Sequence, residues 1–131
     1  MDTNILVYAD DADAGVKQQT SQQLVAGAMS AGNGVVSTQV LQEYFAVATR
    51  KLKIGAEVAQ RKLELLAHFT VVAVDVPHIV DAIKIHRLYN VSFWDALVVQ
   101  AARRAGCAVL LSEDMQHGQK IEGITIHNPF V

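Results

Sequence analysis

Short apolar runs of strand length alternate along this chain with segments of helical period, and the breaks between them fall at glycine, proline and asparagine. This βα alternation restricts the fold more than any other feature, because parallel strands need crossover connections and those connections become the helices. The pattern predicts a short strand ending at Asp2, with Asn4 to Ala9 opening a turn of helix. Val16 to Ser30 reads as a helix closed by Ala31-Gly32-Asn33-Gly34, whose glycines suit a left-handed cap. Val35-Val36 follows as a very short strand, then a helix capped by Ser37 or Thr38 and running to about Lys53, and after Gly55 another from Ala56 to His68. Val71 to Val74 is the next strand, and Pro77 fits the first position of a helix that Asn90 stops after Tyr89. Ser92 opens a helix to Ala105 that ends at Gly106, and Ala108 to Leu111 and Ile124 to His127 are the last strands. One α/β domain over residues 1–131 is expected, with helices on both faces of a parallel sheet.

With 131 residues, 51% hydrophobic and 18% charged, the chain can bury a core of its own. It lacks the roughly 18-residue apolar run that would span a bilayer, and its start lacks the pattern of a signal peptide, so a cytoplasmic protein without membrane contact is expected. Cys107 is the single cysteine, which rules out an internal disulfide or a thiolate metal cage and leaves a buried structural thiol as the expectation. The five histidines show no close helical pairing, which argues against catalytic zinc. The net charge of −2 opposes nucleic-acid binding at first sight. Four of the acids stand apart, however, and setting them aside leaves a surplus of basic residues, clustered as Arg50, Lys51 and Lys53, as Arg61 and Lys62, and as Arg103 and Arg104. Each cluster also reads as a solvated helix end.

Those four acids are Asp2, Glu43, Asp95 and Asp114. On the helical wheel Asp95 falls between Val98 and Val99, where an ionised carboxylate without a counter-charge costs several kcal/mol or takes up a proton. Ser92-Phe93-Trp94-Asp95 also spells a capping box in which Asp95 would reach back to the Ser92 amide. Glu43 borders the apolar face that carries Val40, Tyr44 and Val47, with Arg50 as an alternative partner. Asp114 follows the strand in Leu110-Leu111-Ser112-Glu113-Asp114, and Asp2 follows the first strand, so both occupy carboxyl ends of strands, where open α/β sheets bind ligands. Asp10, Asp11 and Asp13 read instead as a solvated acidic turn. Carboxylates brought together repel unless cations lie between them, and an all-oxygen ligand set favours magnesium or manganese. Two such ions about 4 Å apart suit phosphodiester hydrolysis.

In Asp2-Thr3-Asn4-Ile5-Leu6-Val7-Tyr8-Ala9, Ser37-Thr38-Gln39-Val40-Leu41-Gln42-Glu43, Ser92-Phe93-Trp94-Asp95-Ala96-Leu97 and Leu111-Ser112-Glu113-Asp114 the chain resembles the PIN domains, specifically VapC-like toxin ribonucleases of type II toxin–antitoxin systems. The resemblance implies a three-layer α/β/α sandwich with a five-stranded parallel sheet, and magnesium- or manganese-dependent endonucleolytic cleavage of RNA. It implies Asp2, Glu43, Asp95 and Asp114 as the acidic, metal-binding catalytic set, with Ser112 as a hydroxyl near the site and Asn4 supporting Asp2. It also implies a homodimer held inactive by a cognate antitoxin.

One departure is that only Met1 precedes Asp2, where the family has several apolar strand residues; a truncated chain or an unusually short first strand would explain it. A free Met1 ammonium would compete with a metal for Asp2. The alternative reading is a non-catalytic PIN-like module for RNA or protein contact. A third is another magnesium-dependent phosphoryl enzyme. Asn4 opposes a haloacid-dehalogenase-like phosphatase, since a second Asp belongs there, and the lack of a phosphoacceptor Asp beside an acidic pair opposes a receiver.

Overall fold

The computed structural model describes all 131 residues. In chain order the elements are α1 (Thr3–Ala9), α2 (Val16–Ala31), β1 (Val35–Ser37), α3 (Thr38–Arg50), α4 (Ala56–Leu66), β2 (Thr70–Val72), α5 (Val76–Tyr89), α6 (Phe93–Arg104), β3 (Val109–Leu111), β4 (Lys120–Ile121) and β5 (Ile124–His127). Side-chain caps place the starts of the helices that matter most for the site. Asp2 Oδ1 accepts from the Thr3 amide at 2.7 Å, Ser37 Oγ from Val40 at 3.2 Å and Ser92 Oγ from Asp95 at 3.0 Å. Helix ends follow the same local logic, with Gly32 (φ 69°) and Asn90 (φ 57°) in the left-handed conformation that stops α2 and α5. Gly34 has a different role from the cap expected of it: a Cβ there would lie 2.6 Å from the Phe69 ring, so glycine lets β1 approach that aromatic.

The sheet departs from the five parallel strands expected. β1 pairs with β2 in parallel, and a separate sheet has the order β3-β5-β4, with β3–β5 parallel and β4–β5 antiparallel. The strand expected to end at Asp2 is reduced to two residues: the Met1 nitrogen donates to Val35 O at 2.9 Å and the Asp2 amide to Leu111 O at 3.0 Å. Two residues bridge the sheets without forming a ladder. β4 was not expected at all. It exists because Glu122 (φ 51°) and Gly123 (φ 80°) form a two-residue turn with both φ values positive, the geometry whose twist suits a hairpin.

The core joins what the sheets do not. Helix α6 touches β1, β3 and β5, and its fully buried Val99 lies in one apolar cluster with Val36, Val40, Leu110 and Ile126. Burial of that cluster is the main stabilising term at roughly 25 cal/mol per Å². Two other expectations change. Asp10 is not in a solvated turn, since it accepts from Tyr44 Oη at 2.5 Å and pairs with Lys62 at 2.5 Å, whereas Asp11 only caps a short 3₁₀ turn. Cys107 is half-buried rather than enclosed. Of the α4 leucines, Leu66 is core and Leu63 packs against it, but Leu65 is 60% exposed. Several basic residues do serve as helix-surface charges: Arg61 meets Glu57, Arg103 meets Glu122 and Arg104 meets Asp75.

Candidate active site

The start of α1, the loop just beyond β3 and the first turn of α6 converge, and each delivers one acid because of how it begins or ends. Asp2 is the N-cap of α1 and is buried, with Oδ1 on the Thr3 amide and Oδ2 accepting from Ser112 Oγ at 2.9 Å. Ser112, fully enclosed just beyond β3, also accepts from the Asp114 amide at 3.2 Å, so one hydroxyl ties two acidic residues together. Asn4, expected to support Asp2, instead holds Asp114: its Nδ2 lies 3.3 and 3.2 Å from the two carboxylate oxygens. Asp95 reaches the same space from the first turn of α6. Its amide takes the Ser92 cap, but the return bond from its carboxylate to the Ser92 amide, expected of a capping box, is not made.

One carboxylate oxygen from each of Asp2, Asp95 and Asp114 lies within 4.8 Å of the others. Glu43 is outside this group. It is exposed on α3, where Oε1 accepts from Gln39 Nε2 at 2.7 Å and lies 3.4 Å from Thr3 Oγ1. The expected Arg50 partner does not reach it, and the positioning residue that sequence reasoning missed is Gln39, whose four-residue spacing from Glu43 on one helix is the signal that identifies it.

No lysine or arginine pairs with Asp2, Asp95, Asp114 or Glu43. Burial raises the Asp95 pKa, the Ser92 hydroxyl pulls against that rise, and the charge of Asp2 adds to it. Asp114 is raised by burial too, then by Asp2, Asp95, Glu113 and Glu43, so Glu43 acts on it electrostatically from outside the cluster. The Met1 nitrogen brings a nearby positive charge, but burial lowers its pKa despite the opposing pull of Asp2. Three oxygen donors in one space with no lysine or arginine paired to them fit a hard divalent cation.

A family model described as the PIN domain matches residues 1–120. The chain belongs to the PIN domain family. Among solved structures, this PIN domain is similar to the crystal structure of Mycobacterium tuberculosis VapC20, described as a Sarcin-Ricin loop cleaving toxin, with 21% identity and a TM-score of 0.70 over 86% of this chain and 88% of that one. No curated protein matches. At that identity the likeness is one of fold, and the PIN-like α/β architecture stands even though its strands divide between two sheets.

Within this PIN domain the choice between the adjacent acids Glu113 and Asp114 has a physical basis. Glu113 Oε1 is taken by Lys17 at 2.8 Å and Tyr8 Oη at 3.2 Å, while Asp114 turns to Asn4 and the other acids. Lys17 lies 5.0 Å from the Tyr8 ring centroid and 5.4 Å from that of Phe130, which anchors the pair. Nothing in the spacing of Lys17 signals this role, because the contact spans 96 residues.

Proposed function

We propose that this protein is a magnesium- or manganese-dependent endoribonuclease that hydrolyses RNA phosphodiester bonds, the toxin of a toxin–antitoxin pair. The observation that carries the reading is the convergence of Asp2, Asp95 and Asp114, three carboxylates that share one space without a pairing cation. These three would hold the metal, with Glu43 at the margin through Thr3 as a fourth acid. A bound divalent cation supplies Lewis-acid stabilisation of charge developing on phosphodiester oxygens and makes water a stronger nucleophile at neutral pH. The chain's own groups fix the donors: Ser112 aligns Asp2 with the Asp114 backbone, Asn4 orients the Asp114 carboxylate, and the Ser92 cap sets the first turn from which Asp95 projects.

RNA as substrate is supported by the similarity to VapC20, described as a Sarcin-Ricin loop cleaving toxin. Arg50, Lys51 and Lys53, at the end of the helix that carries Glu43, are exposed and free of ion pairs, which suits phosphate contacts. A homodimer is supported by Val76, Val80 and Ile83, exposed apolar side chains at helical spacing on α5. A cognate antitoxin would find apolar surface at the exposed Leu65 and Met29, which flank a cavity containing Asp10 and Lys62. No helix is long and apolar enough to cross a membrane.

The test is cleavage of structured RNA by purified protein with magnesium or manganese, beside a chelator control and Asp95→Asn. Metal-dependent cutting lost in Asp95→Asn is the expected result; a folded protein that binds neither ion and cuts nothing sinks the proposal and favours a non-catalytic module.

A further inference from the structure

Among the phenylalanines, tyrosines and tryptophan, Trp94 is the one ring exposed to solvent, at 62% on the first turn of α6. Leaving an indole in water forgoes the largest apolar burial that a side chain can offer. Its mounting is nevertheless fixed. Phe93, which packs against the core cluster, meets it in a T-shaped contact with ring centroids 5.2 Å apart and an interplanar angle of 66°. The Ser92 cap on the Asp95 amide holds the same turn. Asp95, the next residue, sends its carboxylate into the cluster with Asp2 and Asp114. Consecutive Cα atoms lie about 3.8 Å apart and consecutive side chains of a helix diverge by about 100°, so the indole stands beside the acids rather than among them. The exposed residues just ahead of it, Asn90 and Ser92, are polar, so this segment presents a single ring and not the apolar strip of a protein-docking face.

We propose that Trp94 is a base-stacking residue: its indole takes one unpaired nucleobase of the RNA, the base flanking the phosphodiester held at Asp2, Asp95 and Asp114. Given the nuclease reading of that cluster, on which this assignment rests, Trp94 selects substrate by strandedness. Every nucleobase has a π face, so a stacking contact is tolerant of sequence. A base inside a duplex already has both faces covered by its neighbours, whereas a base in a loop, bulge or single strand is free to move onto the indole. Stacking also sets register. With the flanking base held on a ring that Phe93 fixes, the adjoining phosphodiester is confined beside the carboxylates instead of sliding past them.

Trp94 is the single tryptophan, so its own emission reports what covers it. The intact protein, with calcium as the hard cation, is titrated with an oligoadenylate of about seven nucleotides, an abasic ribose-phosphate chain of the same length and a blunt RNA duplex, while anisotropy of end-labelled RNA gives the affinities. Expected are a saturable change in emission with oligoadenylate, binding about tenfold tighter than that of the abasic chain, and no emission change with the duplex. Trp94→Ala should bring oligoadenylate down to the affinity of the abasic chain, and Trp94→Tyr should restore most of the difference. The abasic comparison alters the RNA and leaves the protein intact, so a variant that fails to fold does not decide the outcome. Equal affinity of the unaltered protein for the two chains, an equal loss on both with Trp94→Ala, or an emission that shifts on diluting the protein alone, the mark of a second copy seated on the ring, each overturns the proposal. Cleavage is followed separately in manganese: cutting without an emission change keeps the nuclease and removes Trp94 from it, whereas an emission change without cutting keeps the stacking and removes the nuclease.

Discussion

Asp114 is the most exposed of the three clustered acids, yet it is raised by burial and by four neighbouring carboxylates. Its folded pKa, like that of Asp95, lies above the unfolded value, so the stability these groups contribute is complete below the ordinary carboxylate range near about 4 and is lost as pH rises through their folded values. Without metal, therefore, the two groups should weaken the fold as pH rises above the ordinary carboxylate range, and added manganese should reverse that loss, as urea midpoints measured across pH would register. Asp114→Asn removes the repulsion. It should stabilise the metal-free protein at pH 7 by no more than about 1 kcal/mol, given solvent screening of this largely exposed side chain, while weakening manganese binding in titration calorimetry. Ser112→Ala has the opposite effect on stability. Loss of a fully buried hydroxyl that links Asp2 to the Asp114 amide should cost roughly 1–3 kcal/mol in denaturant unfolding and also loosen the metal site.

At the scale of elements, helices were legible because their starts and stops are local chemistry: Ser37, Ser92, Gly32 and Asn90 act within a turn of their own positions. The β4–β5 hairpin was not, since Glu122-Gly123 is a less obvious pair for such a turn than asparagine–glycine and its first strand has two residues. Gly34 was read as part of a cap, yet its requirement comes from Phe69, 35 positions away in the chain and visible only after folding. Gly34→Ala should therefore destabilise by about 1–3 kcal/mol through overpacking, whereas alanine at Gly27, where an added Cβ meets nothing within 4 Å, should leave the chemical-denaturation midpoint unchanged or raise it. Asp10 illustrates the same limit. Flanked by Asp11 it reads as solvent-facing, but Lys62 from α4 and Tyr44 from α3 close over it, and burial with the Asp10 contact raises the Tyr44 pKa.

For the whole molecule, the apolar stripe of α5 carries the dimer proposal, and Val80→Glu, at a position 46% exposed, should halve the mass seen by light scattering without changing the circular dichroism. An unchanged mass would remove α5 from the interface. What the sequence by itself determined is the order of helices and most strands, and the four acids as the positions to watch, because periodicity, caps and a carboxylate on an apolar helix face are properties of a short stretch of chain. Only the tertiary structure decided which acids meet. It gathered Asp2, Asp95 and Asp114, left Glu43 at the edge, gave Asn4 to Asp114 and turned Glu113 toward Lys17. It also divided the strands between two sheets, with β1 paired to β2 and β3 to β5. Those outcomes depend on which distant backbones come within hydrogen-bonding reach, a quantity no local pattern encodes.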